Sequence, residues 1–308
     1  MRAPSILFPS RLAAGDVVGI AAPASPPDQP EKINEVIRRL TAYGFRIKPG
    51  KYLRKRNGYL AGSDEERAGD INELFTDPKV KGIFALRGGY GSCRILPLLD
   101  YAAIRANPKP FIGYSDITAM QLAILARAGV VTFHGSNATS AFEPGNEAAF
   151  RRVLMDALGP KGTVLFSRGN AGGKTIKTVT PGRVTGRLLG GNMTCLLRLI
   201  GTPYAPDFRG AILFLEDTGE KAYRVDGMFT HLRLAGVLPQ IVGLVLGRFD
   251  HTDAAEQKRI TACLQREAKR TGIPCVSGAP IGHFAEQIVV PQGTQAELDA
   301  GEGILKVK

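Results

Sequence analysis

Short apolar runs alternate with stretches of helical spacing through the first half of the chain. Asp16–Pro23, Phe45–Lys48, Val80–Leu86, Phe111–Tyr114 and Val130–Phe133 read as strands. Between them, Glu31–Tyr43 sets Ile33, Val36, Ile37 and Leu40 at helical spacing, and Gly44 supplies a stop. Ser63-Asp64-Glu65-Glu66 has the form of a capping box and opens a helix through Phe75. Further helices are expected over Ser92–Leu99, Ile117–Ala128 and Glu147–Leu158. This alternation predicts an α/β fold: a mostly parallel sheet with helices on both faces.

Gly159 to Pro181, rich in Gly, Lys, Ser and Thr, breaks the pattern and reads as a linker or extended crossover. Strand and helix signals then restart. Arg183–Leu189, Ala211–Leu215 and Ile241–Leu246 read as strands, followed by Cys275–Ser277. Met193–Ile200, Tyr223–Ala235 and Ala254–Arg270 read as helices. A chain of 308 residues suits two cores. The expected division is an N-terminal α/β domain over 1–158, a linker over 159–181 and a smaller domain over 182–308.

Charge and cysteine content narrow the function. The formal net charge is +12, but the basic residues are scattered. The dense cluster Lys51-Tyr52-Leu53-Arg54-Lys55-Arg56 falls in a loop with no nucleic-acid motif around it, so it reads as a solvated face. No nucleic-acid partner is expected, while a small anionic substrate suits the charge. The four cysteines form no C-x-x-C, which argues against a disulfide framework or zinc site and fits a reducing compartment. Val17–Ala22 reads as a buried strand rather than a secretory core, because Pro9, Arg11 and Asp16 interrupt the approach. With no apolar stretch of about 18 residues, no membrane association is expected, and the protein reads as cytoplasmic.

Several apolar strands end in residues able to do chemistry, at the edge where open α/β sheets bind ligands. Ser115, in Gly113-Tyr114-Ser115-Asp116, sits between a strand and a helix N-terminus, the setting of an exposed nucleophile with backbone donors at hand. Ile117 departs from the G-x-S-x-G form. Cys93 is the weaker nucleophile, with nothing nearby to lower its thiol pKa.

A serine nucleophile needs a base and a carboxylate to orient it. Among four histidines, His231 lies in a helical pattern and His251 in a polar loop. His134 closes a strand and is read as a substrate contact, and His283, in a turn after Gly282, is the candidate base. Glu216 ends the apolar run Leu213-Phe214-Leu215, with Asp217 as its rival for the carboxylate; alternation does not decide between them. The run Arg87-Gly88-Gly89-Tyr90-Gly91 lacks a full dinucleotide fingerprint, and its glycines read better as a close backbone approach to an oxyanion. A nucleotide-binding α/β protein is the competing class.

Five motifs in this order, Arg87-Gly88-Gly89-Tyr90-Gly91, Gly113-Tyr114-Ser115-Asp116, Gly190-Gly191-Asn192, Leu215-Glu216-Asp217 and Gly282-His283, resemble the LD-carboxypeptidase family of serine peptidases. That family includes murein tetrapeptide carboxypeptidases and microcin-immunity peptidases. The resemblance runs from about residue 14 to the C-terminus. It implies an N-terminal domain like that of class I glutamine amidotransferases, a smaller C-terminal α+β domain, and a homodimer. By position it implies Ser115 as nucleophile, Glu216 as acid and His283 as base. It further implies an oxyanion hole from the N–H of Asp116 with one from Gly88 or Gly89, and Arg87, His134 and Asn192 near substrate.

The implied reaction cuts the amide between the L-centre of meso-diaminopimelate and a terminal D-alanine in a muropeptide, with no metal or organic cofactor. An arginine suits the terminal carboxylate, with Arg87 and Arg224 as candidates. The alternative within the family is an amidase acting on peptidyl-nucleotide antibiotics, which the absence of Trp disfavours.

Overall fold

Five short strands of the first half line up in parallel: β1 (Val17–Ala21), β2 (Arg46–Pro49), β3 (Val80–Ala85), β4 (Phe111–Gly113) and β5 (Thr132–His134). The computed structural model describes residues 4–142, 145–156, 162–169, 176–251 and 253–308. Helices α1 (Lys32–Ala42), α2 (Asp64–Thr76), α3 (Tyr101–Ala106) and α4 (Thr118–Ala128) fall between the strands. The strand order β2-β1-β3-β4-β5 reverses direction between β1 and β3, which opens a crevice beyond the C-terminal strand ends.

The local reasons are those the sequence carries. The capping box forms in full: Ser63 Oγ accepts the Glu66 N–H at 3.2 Å, and Glu66 Oε2 accepts the Ser63 N–H at 2.9 Å. Gly129, at φ 70°, ends α4 in the left-handed conformation that glycine adopts without steric cost. Ser92–Leu98, expected as a helix, is a 3-10 turn with Pro97 inside it. Helix α5 (Glu147–Phe150) continues as a π-helical turn over Arg151–Asp156; the last two positions of the predicted helix lie outside the described residues.

The second sheet is built from β6 (Val164–Phe166), β7 (Lys177–Thr180), β8 (Arg183–Asn192), β9 (Ala211–Thr218), β10 (Gly243–Asp250) and β11 (Cys275–Ser277), with two strands near the C-terminus. Helices α6 (Met193–Leu197), α7 (Ala222–Leu234) and α8 (Ala254–Thr271) connect its parallel centre, β8-β9-β10-β11. Strand β9 is buried at every position but its last, as an apolar central strand should be. Helix α8 buries Ile260, Cys263, Leu264, Glu267 and Ala268, one face at helical spacing.

Three later strands were not expected. β12 (Val290–Gln292) crosses over to pair antiparallel with β5 and so extends the first sheet. β13 (Gln295–Asp299) and β14 (Ile304–Val307) then return to the second sheet, giving it eight strands in the order β6-β14-β13-β8-β9-β10-β11-β7. The segment read as a linker therefore carries β6 and β7, which form the two edges of this sheet; its positions 159–161 and 170–175 lie outside the described residues.

The two sheets meet through close backbone approach and buried polar bonds. A Cβ on Gly191 of β8 would stand 2.6 Å from Thr118 Oγ1 of α4 and 3.1 Å from His134 Nδ1 of β5, while one on Gly190 would stand 1.8 Å from the Phe214 carbonyl oxygen of the neighbouring β9, so the step takes glycine. Gln121 Nε2 donates to the carbonyls of Gly113 and Phe133, at 2.8 and 2.6 Å. Its Oε1 accepts from Gln292 Nε2 at 3.0 Å, and Gln292 Oε1 accepts the Gly190 N–H at 3.2 Å. A chain of amides thus ties the serine-bearing strand of one sheet to the glycine step of the other.

Candidate active site

Ser115 opens a 3-10 turn between β4 and α4, with φ at 65°. A non-glycine residue in that region is strained by roughly 1–3 kcal/mol, and such strain collects where a side chain must be presented at a fixed angle. The turn is anchored from below. The buried Asp116 carboxylate accepts the Ser92 N–H at 2.8 Å and contacts Arg198 Nη1 at 3.3 Å, while Ser92 Oγ donates to the Asp116 carbonyl. Burial pushes the Asp116 carboxyl above the usual range, opposed by the Ser92 hydrogen bonds. Gly88, just past β3, comes against this turn: a Cβ there would lie 2.9 Å from Ser115 Cβ and 3.3 Å from the Asp116 nitrogen. The backbone beside the hydroxyl is therefore within the reach an oxyanion requires.

Glu216 lies on β9 with no exposed surface, and its Oε2 is 2.8 Å from His283 Nδ1. Burial pushes the Glu216 carboxyl up, against the hydrogen bond and charge of His283. Burial by itself lowers His283, but the hydrogen bond and charge of Glu216 outweigh it, leaving the imidazole above its usual value. With the carboxylate ionised, Nδ1–H donates to it and Nε2 is the ring nitrogen outside this contact. The Tyr114 ring packs on the imidazole with centroids 4.7 Å apart.

Asp217 is used differently. It accepts from Asn192 Nδ2 at 3.0 Å, from the Thr194 N–H and hydroxyl at 2.9 and 2.8 Å, and from the Thr218 N–H at 2.9 Å. It is a buried anchor for the start of α6, so geometry separates the two carboxylates where alternation did not.

A cleft of about 300 Å³ is lined by Ser115, His283, Gly88, Gly89, Arg87 and Tyr114, together with Pro27, Asp28, Lys32, Asn137 and Thr139. It sits at the crevice between β1 and β3. The structure thus brings together Ser115, His283, Glu216 behind it, both glycines and Arg87.

Three expected substrate contacts are placed elsewhere. His134 has no exposed surface and neither ring nitrogen has a hydrogen-bond partner among the described residues, so it has no face to offer a substrate; it packs edge-on against Phe214 at 5.3 Å. Burial, then the charge of His283, lowers it to about 3 and keeps it neutral. Asn192 is buried as the N-cap of α6, accepting the Cys195 N–H at 3.1 Å, and acts on Asp217 rather than on substrate. Arg224 pairs with Glu220 and lines a separate depression with Leu197, Gly227, Met228 and His231.

Sequence reasoning missed Asp28, Lys32, Tyr114, Asn137 and Thr139. The strand order held the signal for the first two, which follow β1 at the switch point. The thiol of Cys93 is pushed up to about 11 by burial first and then by the charge of Asp116, which removes it as a rival nucleophile. Among the described residues no group of three or more His, Cys, Asp or Glu is arranged to hold a metal ion.

Comparison with known proteins places the chain in a family. The LD-carboxypeptidase N-terminal domain matches residues 18–135 and the LD-carboxypeptidase C-terminal domain matches residues 185–298. A probable murein peptide carboxypeptidase of Bacillus subtilis is 34% identical over 302 residues, 96% of this chain and 92% of that protein. The microcin C7 self-immunity protein of Escherichia coli is 29% identical over 331 residues, 95% of this chain and 93% of that one. The crystal structure of the muramoyltetrapeptide carboxypeptidase from Oxalobacter formigenes superposes with a TM-score of 0.81 at 31% identity, covering 94% of this chain and 97% of that one. The chain belongs to the LD-carboxypeptidase family of serine peptidases.

Proposed function

We propose that the protein is a serine LD-carboxypeptidase that releases the terminal D-alanine from a muropeptide tetrapeptide, at the amide joining it to the L-centre of meso-diaminopimelate. The observation that carries this is the 2.8 Å contact between His283 and the wholly buried Glu216, behind a cleft that Ser115 and His283 share. Ser115 Oγ attacks the carbonyl and His283 Nε2 takes its proton. The N–H of Asp116 and that of Gly88 or Gly89 hold the oxyanion. His283 then gives the proton to the leaving D-alanine nitrogen, and water, activated by the same base, hydrolyses the acyl-enzyme. Glu216 stays ionised, holding Nδ1–H and stabilising the imidazolium. Neither a metal nor an organic cofactor enters these steps. The net charge of +12 favours a substrate carrying several carboxylates.

The setting that goes with this role is a cytoplasmic homodimer. Tyr223 and Leu234 stand exposed on α7, a face a second copy can cover. Among the described residues no helix is long and apolar enough to cross a membrane.

One feature favours the second reading, an amidase of peptidyl-nucleotide antibiotics. Tyr90, next to Gly89 of the cleft, is exposed and meets Tyr59 edge-on at 5.7 Å, a surface on which a base can stack. Turnover of tetrapeptide and of an aminoacyl sulfamoyl nucleoside by the same preparation decides between them. A kcat/KM at least tenfold higher for tetrapeptide supports the first reading, and the reverse ratio supports the second.

A further inference from the structure

Arg87 is the residue immediately before Gly88, and its guanidinium lies in the same cleft as Ser115. Only one of its nitrogens is engaged: Nη1 donates to Asp28 Oδ1 at 2.6 Å and to the Pro26 carbonyl at 2.9 Å. Nε and Nη2 have no partner among the described residues, so half of a fork suited to carboxylates stands available. Lys32, near the start of α1, lines the same cleft, and its ammonium likewise has no partner among the described residues. Among the described residues Asp28 is the sole anion lining the cleft, and its side chain is 78% exposed, against 34% for Arg87. An ion pair this open is weakly held.

The proposed chemistry needs a cation here. In a C-terminal residue the carboxylate carbon is three bonds beyond the scissile carbonyl carbon, about 3–4 Å away by standard backbone dimensions. Whatever binds it must line the nucleophile's own cleft, close to the oxyanion donors. Among the described residues, Arg87 is the one arginine that lines that cleft.

We infer that Arg87 and Lys32 form the seat of the substrate's terminal carboxylate, and that Asp28 holds Arg87 as an internal stand-in which that carboxylate displaces. This rests on the carboxypeptidase reading above. Exchange of one carboxylate for another on Arg87 changes little in charge, whereas a peptide ending in an amide has nothing to exchange. The pair would act as a filter, admitting chain ends that carry a free carboxylate.

The test compares tetrapeptide with its C-terminal amide, which presents the same scissile bond, in wild type, Arg87→Gln and Asp28→Asn. Wild type should prefer the acid. Arg87→Gln should lower kcat/KM for the acid on the order of 10- to 100-fold, the worth of a charge-assisted hydrogen-bonded pair, and leave the amide nearly unchanged. Asp28→Asn should lower KM for the acid about threefold at unchanged kcat, since a competitor is removed. Equal losses on acid and amide in Arg87→Gln, or a raised KM in Asp28→Asn, would overturn the inference. Thermal melting checks folding; should Arg87→Gln melt early, Asp28→Asn, on an exposed side chain, carries the test.

If wild type cleaves the terminal residue from neither peptide, as alanine or as alaninamide, the carboxypeptidase reading fails, and the seat is judged by binding of N-acetyl-D-alanine and its amide. A preference for the acid that is lost in Arg87→Gln and strengthened in Asp28→Asn sustains the seat; equal binding of the two overturns it.

Discussion

His283 Nδ1 meets Glu216 Oε2 at 2.8 Å although 67 positions separate them, because Glu216 sits on β9 and His283 follows β11 of the same sheet. The carboxylate is sealed from solvent while a fifth of the histidine side chain remains open to it. This asymmetry keeps the imidazole on the cleft side and the charge that raises it on the core side.

Activity should therefore rise with pH through a midpoint above the ordinary 6.5 of histidine, because the base works only when neutral and its proton is held more tightly than usual. Glu216→Gln removes the charge, so the midpoint should fall, and kcat should drop about 10⁴-fold as the tautomer is lost. The pH dependence of kcat/KM on both proteins checks this.

Stability should depend on pH in two directions. Glu216 and His283 are both raised, so the folded state holds more protons, and their contribution is lost as pH rises from the carboxylate range through the raised histidine value. His134 is lowered to about 3, so its contribution is lost as pH falls from about 6.5 towards 3. Urea midpoints between pH 4 and 9 should pass through a maximum, and His134→Leu should flatten the acid side only.

Asp217→Ala should cost about 3 kcal/mol, because it strands the buried donor of Asn192 and the part-buried ones of Thr194 and Thr218. Glu216→Gln should leave the urea midpoint much closer to wild type while losing activity. Equal destabilisation by the two would contradict the separate roles assigned to these adjacent carboxylates.

Gly88→Ala places a methyl 2.9 Å from Ser115 Cβ. The backbone at Gly88 does not need a positive φ, so the fold should hold. The nucleophile must shift, and kcat should fall about 100-fold with melting temperature little changed. Steady-state kinetics beside a thermal melt measures both.

Much of the parallel core was legible because its central strands, such as β1 and β9, are apolar and helices such as α1 and α8 bury one face at helical spacing. The strands near the C-terminus were not. β12, β13 and β14 are each five residues or fewer, and β12 finds its partner in the other sheet, a pairing no local pattern encodes. The edge strands β6 and β7 lie among the Gly, Lys and Thr that made 159–181 read as a linker. In the site, residues at strand ends such as Ser115 and Glu216 were readable from the apolar runs before them. His134 also ends a strand, but its side chain turns into the core against Phe214, and strand position does not tell inward from outward. Arg224 was chosen for its chemistry alone, and its i, i+4 neighbour Glu220 claims it.

The most direct test is the mass of a meso-diaminopimelate tetrapeptide after incubation with purified wild type and with Ser115→Ala. Wild type should remove one alanine, and Ser115→Ala should remove it at least about 10³-fold more slowly while melting like wild type. Release of alanine by Ser115→Ala at the wild-type rate would contradict the assignment of Ser115 as nucleophile, on which the rest of the site depends.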